Sequence, residues 1–149
     1  MNSFRKAVEA GDAAAIEALL AENVVFTSPV AFKPYPGKPI TAAILRGVVR
    51  VFADFHYIRE IESADGRDHA LIFKATVDGK EVNGCDFLHF DDDGLIDDLM
   101  VMVRPLSAAN ALAEAMGAQF ERIQAEASQI SGSLNADEPV DHRGTTRRL

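Results

Sequence analysis

The chain has 149 residues, a formal net charge of -8 and a single cysteine, Cys85. That length suits one domain, large enough to bury roughly two-thirds of its unfolded surface. The acidic balance argues against a nucleic-acid partner, no apolar run nears the ~20 residues of a membrane span, and one cysteine rules out an internal disulfide. A reducing, cytoplasmic setting is expected, with no basic-then-apolar leader.

Asn2 to Ala10 reads as a short helix with Phe4, Ala7 and Val8 on one face. Gly11 stops it, and the Asp12 carboxylate is placed to cap a second helix. Ile16, Leu19 and Leu20 stripe that helix, which is expected to end near Asn23. The β-branched run from Val24 to Ser28 predicts a strand cut by Pro29. Four prolines and Gly37 between Pro29 and Pro39 then predict an irregular, stiffened loop.

Pro39 suits the first turn of a third helix, in which Ile40, Ile44, Val48, Val51 and Phe52 recur at helical spacing. Phe55 to Ser63 alternates weakly and reads as a strand. Asp65-Gly66 marks a turn, His69 to Val77 a further strand, and Asp78-Gly79 a tight hairpin into the strand beginning at Glu81. Asp91 to Gly94 turns the chain again before a last strand closed by Pro105. Leu106 to Gln129 is expected to be helical, with Leu112, Met116, Phe120 and Ile123 as its buried stripe. Residues 1–130 therefore form one α+β domain, and 131–149 read as a polar tail.

One residue breaks the alternation. On the face carrying Val82, Gly84, Leu88 and Phe90, Asp86 stands where an apolar side chain is expected. A two-residue Asp78-Gly79 loop sets Leu71 opposite Asp86, Phe73 opposite Gly84 and Ala75 opposite Val82. A two-residue Asp93-Gly94 loop sets Val101 opposite Asp86 and Leu99 opposite Leu88; a four-residue loop would set Leu99 opposite Asp86, on the same face. Either register encloses the carboxylate in Leu71, Phe73, Leu99, Val101 and Val103. Such a group requires a raised pKa or a dedicated partner. The plainer reading is an acceptor for a backbone amide or an arginine; the sharper one is a ligand site, with small Gly84 and Ala75 leaving the hollow. Met100, Met102, Phe87 and Ile72 fall on the opposite, outer face, together with Arg104, which is expected to pair with Asp98 or across a dimer.

Other constellations are weaker. The aspartates at 91–93, 97 and 98 lack the glutamate of a calcium loop and read as a solvated turn. His69 and His89 are expected to face each other on the outer side of their hairpin, but the four histidines lack metal-ligand spacing. Neither a metal nor a cofactor is expected. Ser28 has no nucleophile elbow around it, so its plain role is backbone hydrogen bonding at the strand end.

The phrases AGD, VVFTSPV, GCDFLHFDDDG and VMVRPLSA, spread from Ser3 to about Gly117, resemble the nuclear transport factor 2-like superfamily, in its SnoaL-like and ketosteroid-isomerase-like branches. The resemblance implies a cone-shaped curved antiparallel sheet closed by the N-terminal helices and the long third helix, with a C-terminal helix. It also implies an apolar pocket and homodimerisation, here through the outer sheet face. The ketosteroid isomerases use an aspartate base, an oxyanion tyrosine and a protonated aspartate. Their matching positions here are Ser28, Phe4 and Asp86, so one of the three is kept. A serine does not replace a carboxylate base, which disfavours steroid isomerisation by that mechanism. The expected function is binding of a small hydrophobic molecule, with isomerase-, cyclase- or lyase-type chemistry by Asp86 as general acid or base. The expected pocket comprises Phe4, Phe26, Ser28, Tyr35, Phe52, Leu71, Phe73, Leu88, Leu99 and Val101. The alternative is a non-catalytic binding or dimerisation module of the same fold.

Overall fold

The computed structural model describes residues 3–134. Helices α1 (Ser3–Glu9) and α2 (Ala13–Ala18) lead into strand β1 (Leu20–Thr27) and the two-residue β2 (Tyr35–Pro36). Helix α3 (Lys38–Val51) follows, then the strands β3 (Ala53–Glu62), β4 (Asp68–Val77), β5 (Lys80–Phe90) and β6 (Ile96–Arg104), and finally α4 (Leu106–Leu134). The six strands form one curved, unclosed sheet in the order β2-β1-β6-β5-β4-β3. The meander from β3 to β6 is antiparallel, whereas β1 joins β6 in parallel. The α+β cone expected from the sequence is present, with α4 packed across α3. None of the described helices is long and apolar enough to cross a membrane.

Local signals explain most of the boundaries. Gly11 takes φ +66°, and the Asp12 carboxylate accepts the Ala15 amide at 3.1 Å, starting α2. That helix ends at Ala18 rather than near Asn23, because Leu20 pairs with Ile96 and draws the chain into the sheet. Burial of Leu20, Ala21, Val24 and Phe26 outweighs the helix propensity of the segment. The proline-rich loop is less irregular than expected, since Tyr35 and Pro36 pair with Phe26 and Val25. At the far end, α4 runs on to Leu134, so the polar tail predicted from residue 131 is helical at its start; residues 135–149 lie outside the described residues.

Both hairpin registers hold. Val77 pairs with Lys80 across Asp78 and Gly79, whose φ values of 53° and 78° suit the tight turn. Leu71 accordingly lies opposite Asp86, and Phe73 opposite Gly84. Asp86 also faces Val101, although the second turn is longer than two residues. The Asp91 side chain accepts the amides of Asp93 and Leu95, and a register shift between His89 and Phe90 restores the expected pairing. The same pairing corrects the histidines: His69 lies opposite Leu88 on the inner face, and His89 opposite Asp68, so the two do not face each other. His89 instead bonds Asp97 at 2.7 Å. Arg104 donates to Asn83 at 3.1 Å, its direct cross-strand partner, rather than to Asp98.

Candidate functional site

Asp86 sits mid-strand in β5 on the inner face, 7% exposed, in a core otherwise built almost wholly of apolar side chains. Its side-chain hydrogen-bond partner among the described residues is the Tyr57 hydroxyl, which donates to Oδ2 at 2.5 Å. Burial pushes the Asp86 carboxyl up to about 7, against the opposing effect of the Tyr57 hydrogen bond. Burial first, and then the Asp86 charge, holds the Tyr57 phenol well above its usual range. Near neutral pH, tyrosine is therefore the donor, and the carboxyl is divided between its two forms.

Tyr57 carries no periodic signal in the sequence, and strand geometry explains why. Pairing runs regularly from Glu62–His69 to Arg59–Ile72, then shifts so that Tyr57 faces Phe73. Ile58 is the extra residue. Continued without that bulge, the register would set Tyr57 opposite Lys74 on the outer face; the shift of one residue turns it inward. Tyr57 is 4% exposed and packs edge-on against Phe55 and Phe73. The available signal was compositional: the chain has only two tyrosines, and a buried one seeks a polar partner.

The pair opens onto a cavity of about 250 Å³. Of the residues expected to line it, Phe4, Phe26, Ser28 and Tyr35 do so, as do Phe52, Leu99 and Val101. Leu71, Phe73 and Leu88 do not. Leu71 and Leu88 are sealed in the core, and the Phe73 ring occupies the gap that Gly84 leaves. The hollow expected beside Gly84 is therefore filled by an aromatic ring. Helix α4 supplies the far wall: Leu112, Met116, Phe120 and Ile123, read from the sequence as a packed stripe, all border the cavity. Phe120 is 37% exposed, whereas Leu112 and Ile123 of the same stripe are 3% and 1% exposed and belong to the core.

The polar side chains in the lining are Ser28, Tyr35, Tyr57 and Asp86. Ser28 Oγ accepts the Val30 amide at 3.1 Å, so it serves the turn after β1 as its plain reading required. Asp86 is the one carboxylate among the described lining residues. On the outer side, burial and then the Asp86 charge push the Cys85 thiol up, which disfavours thiolate chemistry. Away from the cavity, Glu60, Glu62 and His69 bring potential ligating atoms within 4.8 Å of one another, but Arg5 already pairs with Glu60 at 3.3 Å.

The chain matches the family model for the SnoaL-like domain over residues 2–99. It is 43% identical to a steroid delta-isomerase from Pseudomonas aeruginosa, with a TM-score of 0.77 over 82% of this chain and 89% of that one. A bacterial protein of cystatin-like fold from Silicibacter pomeroyi shares 37% identity, with a TM-score of 0.75 over 78% of this chain and 82% of that one. The epoxide hydrolase/cyclase-like enzyme SalBIII of salinomycin pyran-ring formation is 20% identical, with a TM-score of 0.57 over 69% of this chain and 86% of that one, a likeness of fold. No curated protein matches. With a matching family model across most of its domain and solved relatives above 30% identity along most of its length, the chain belongs to the SnoaL-like domain family.

Proposed function

We propose that the protein binds a small, largely hydrocarbon cyclic molecule bearing one oxygen function, and acts on it as an isomerase- or cyclase-type enzyme through Tyr57 and Asp86. The observation that carries this reading is a buried hydroxyl–carboxyl pair on the wall of an otherwise apolar cavity. A carboxyl titrating at about 7 is poised as a general acid or base at neutral pH. Protonated, Asp86 donates to a carbonyl, hydroxyl or ether oxygen of the ligand; ionised, it accepts a proton from carbon or oxygen. The names of the steroid delta-isomerase and of SalBIII support a cyclic ligand. The cavity is smaller than the roughly 300–1,000 Å³ of drug-sized sites, which favours one or two rings inside, with anything larger reaching through the mouth. Isomerisation by the ketosteroid isomerase mechanism is disfavoured, because Ser28 holds the position of the base.

A thermal-shift screen of small cyclic ketones, alcohols and epoxides tests the reading. Hits on the wild type should lose at least tenfold in affinity in both Asp86→Asn and Tyr57→Phe, consistent with one charge-assisted hydrogen bond. Binding indifferent to both substitutions sinks it. Binding that depends on the pair without any turnover supports the second reading, a non-catalytic binding module. That reading is favoured by the lack of a second carboxylate among the described lining residues.

The outer sheet face is the proposed interface with a second copy. Cys85, Phe87, Met100 and Met102 are cross-strand neighbours there, with Phe87 37% and Met102 53% exposed. Met102→Glu should convert a dimer to a monomer in sedimentation at micromolar protein. A monomeric wild type removes the proposal.

A further inference from the structure

Strand β3 is the last strand of the sheet, so one side of its backbone has no neighbouring strand. At Tyr57 that side is filled by helix α1. The Tyr57 amide donates to Glu9 Oε2 at 3.0 Å, and the Tyr57 carbonyl accepts from Arg5 Nη2 at 3.3 Å. Arg5 Nε lies 3.5 Å from the same Glu9 carboxylate, one helical turn away, and Arg5 Nη1 reaches Glu60 at 3.3 Å. The guanidinium carbon stands 6.0 Å from the centre of the Tyr57 ring. Both peptide groups of one residue are thus bonded as a neighbouring strand would bond them, by two side chains that also hold each other.

We propose that Arg5 and Glu9 are positioning residues that keep the β3 bulge in the register presenting the Tyr57 hydroxyl to Asp86. The inference rests on the Tyr57–Asp86 pair being the working site, and it adds what orients that pair. The alternative register buries a different set of side chains, so a small bias at Tyr57 selects between two discrete arrangements. The side chains of Arg5, Glu9 and Glu60 are all more than two-thirds buried, which makes them a network rather than an isolated surface pair. Neither Arg5 nor Glu9 is among the direct causes of the raised Asp86 pKa; both act on Tyr57. The charged and titratable groups around the pair are Arg5 and Glu9 on α1 and Glu60 on β3, with Tyr35 across the cavity; Cys85, next to Asp86 on β5, lies on the outer face. The cavity walls from β1, α3, β6 and α4 add no charged side chain among the described residues.

The test is the titration of the Asp86 carboxyl carbon by NMR in the unliganded protein, assigned with Asp86→Asn. The wild-type midpoint is expected at about 7. Tyr57→Phe should raise it by roughly one to two pH units, the worth of a hydrogen bond to a charged group. Arg5→Met and Glu9→Ala should each move it upward toward the Tyr57→Phe value, and should move it no further in the Tyr57→Phe background. Wild-type midpoints in the two clamp variants, with Tyr57→Phe shifted, overturn the clamp and leave the site intact. Equal shifts in both backgrounds overturn it too, since general loosening does not act through Tyr57. If Arg5→Met does not fold, Arg5→Lys keeps the charge and loses the fork; a smaller upward shift is expected, and none is a failure. A wild-type midpoint near the ordinary ~4 sinks the buried-pair reading itself, and the clamp with it.

Discussion

Asp86→Asn is expected to stabilise the protein above neutral pH and to remove one proton's worth of pH dependence from its stability. The folded-state pKa of about 7 lies above the ordinary carboxylate value of 3.8. Between those limits the folded chain holds a proton that the unfolded chain has released. Stability from this group is therefore full below about pH 4, falls by about 1.4 kcal/mol per pH unit as pH rises, and is level above about pH 7. Over the whole window the loss is about 4 kcal/mol, a large part of a typical domain's total stability. Urea unfolding of wild type and variant at about pH 4 and about pH 8 should show the asparagine form gaining 3–4 kcal/mol relative to wild type between the two, by the same linkage. Parallel pH profiles would mean that Asp86 ionises at an ordinary pH and is not the buried acid described above. Under the proposed function this cost falls on the group that does the chemistry, a position where stability and activity are commonly traded.

Gly84→Ala should cost about 3 kcal/mol or more, at or beyond the top of the usual range for overpacking a core. A Cβ at this position would lie closer than 3.0 Å to three carbons of the Phe73 ring. That ring has nowhere to go. It stacks on Phe55 at 4.7 Å and meets Phe52 at 5.6 Å and Tyr57 at 6.2 Å, edge-on to both. Relief by moving Phe73 displaces Phe55 and Tyr57, so the surviving folded protein should also show a weakened Tyr57–Asp86 contact. Gly117→Ala is the matching control, because nothing lies within 4 Å of its added Cβ. Removing a helix-interior glycine there should instead gain up to ~1 kcal/mol. Thermal unfolding of the two variants decides the point: equal effects would mean that Phe73 yields freely and that the aromatic cluster is looser than its geometry requires.

The sequence by itself determined that Asp86 faces inward, and which residues stand across from it. A strand has a period of two, and the Asp-Gly turn after β4 leaves few registers, so one polar residue in an apolar row is legible without coordinates. The two-residue-loop register at Asp86 holds although the second turn is longer, because the bulge near Phe90 restores the pairing that the longer loop shifts. Helix order, the third helix and the cone followed from hydrophobic spacing and from the family resemblance. Tertiary structure alone decided what Asp86 bonds to. Tyr57 comes from a strand whose inward face depends on a single extra residue, Ile58, and an irregularity of one residue leaves no periodic trace in so weakly alternating a segment. Tertiary structure likewise decided that Phe73 fills the Gly84 gap and that α4 walls a cavity as well as packing into the core. Both outcomes depend on how curved surfaces meet, and local spacing does not encode that.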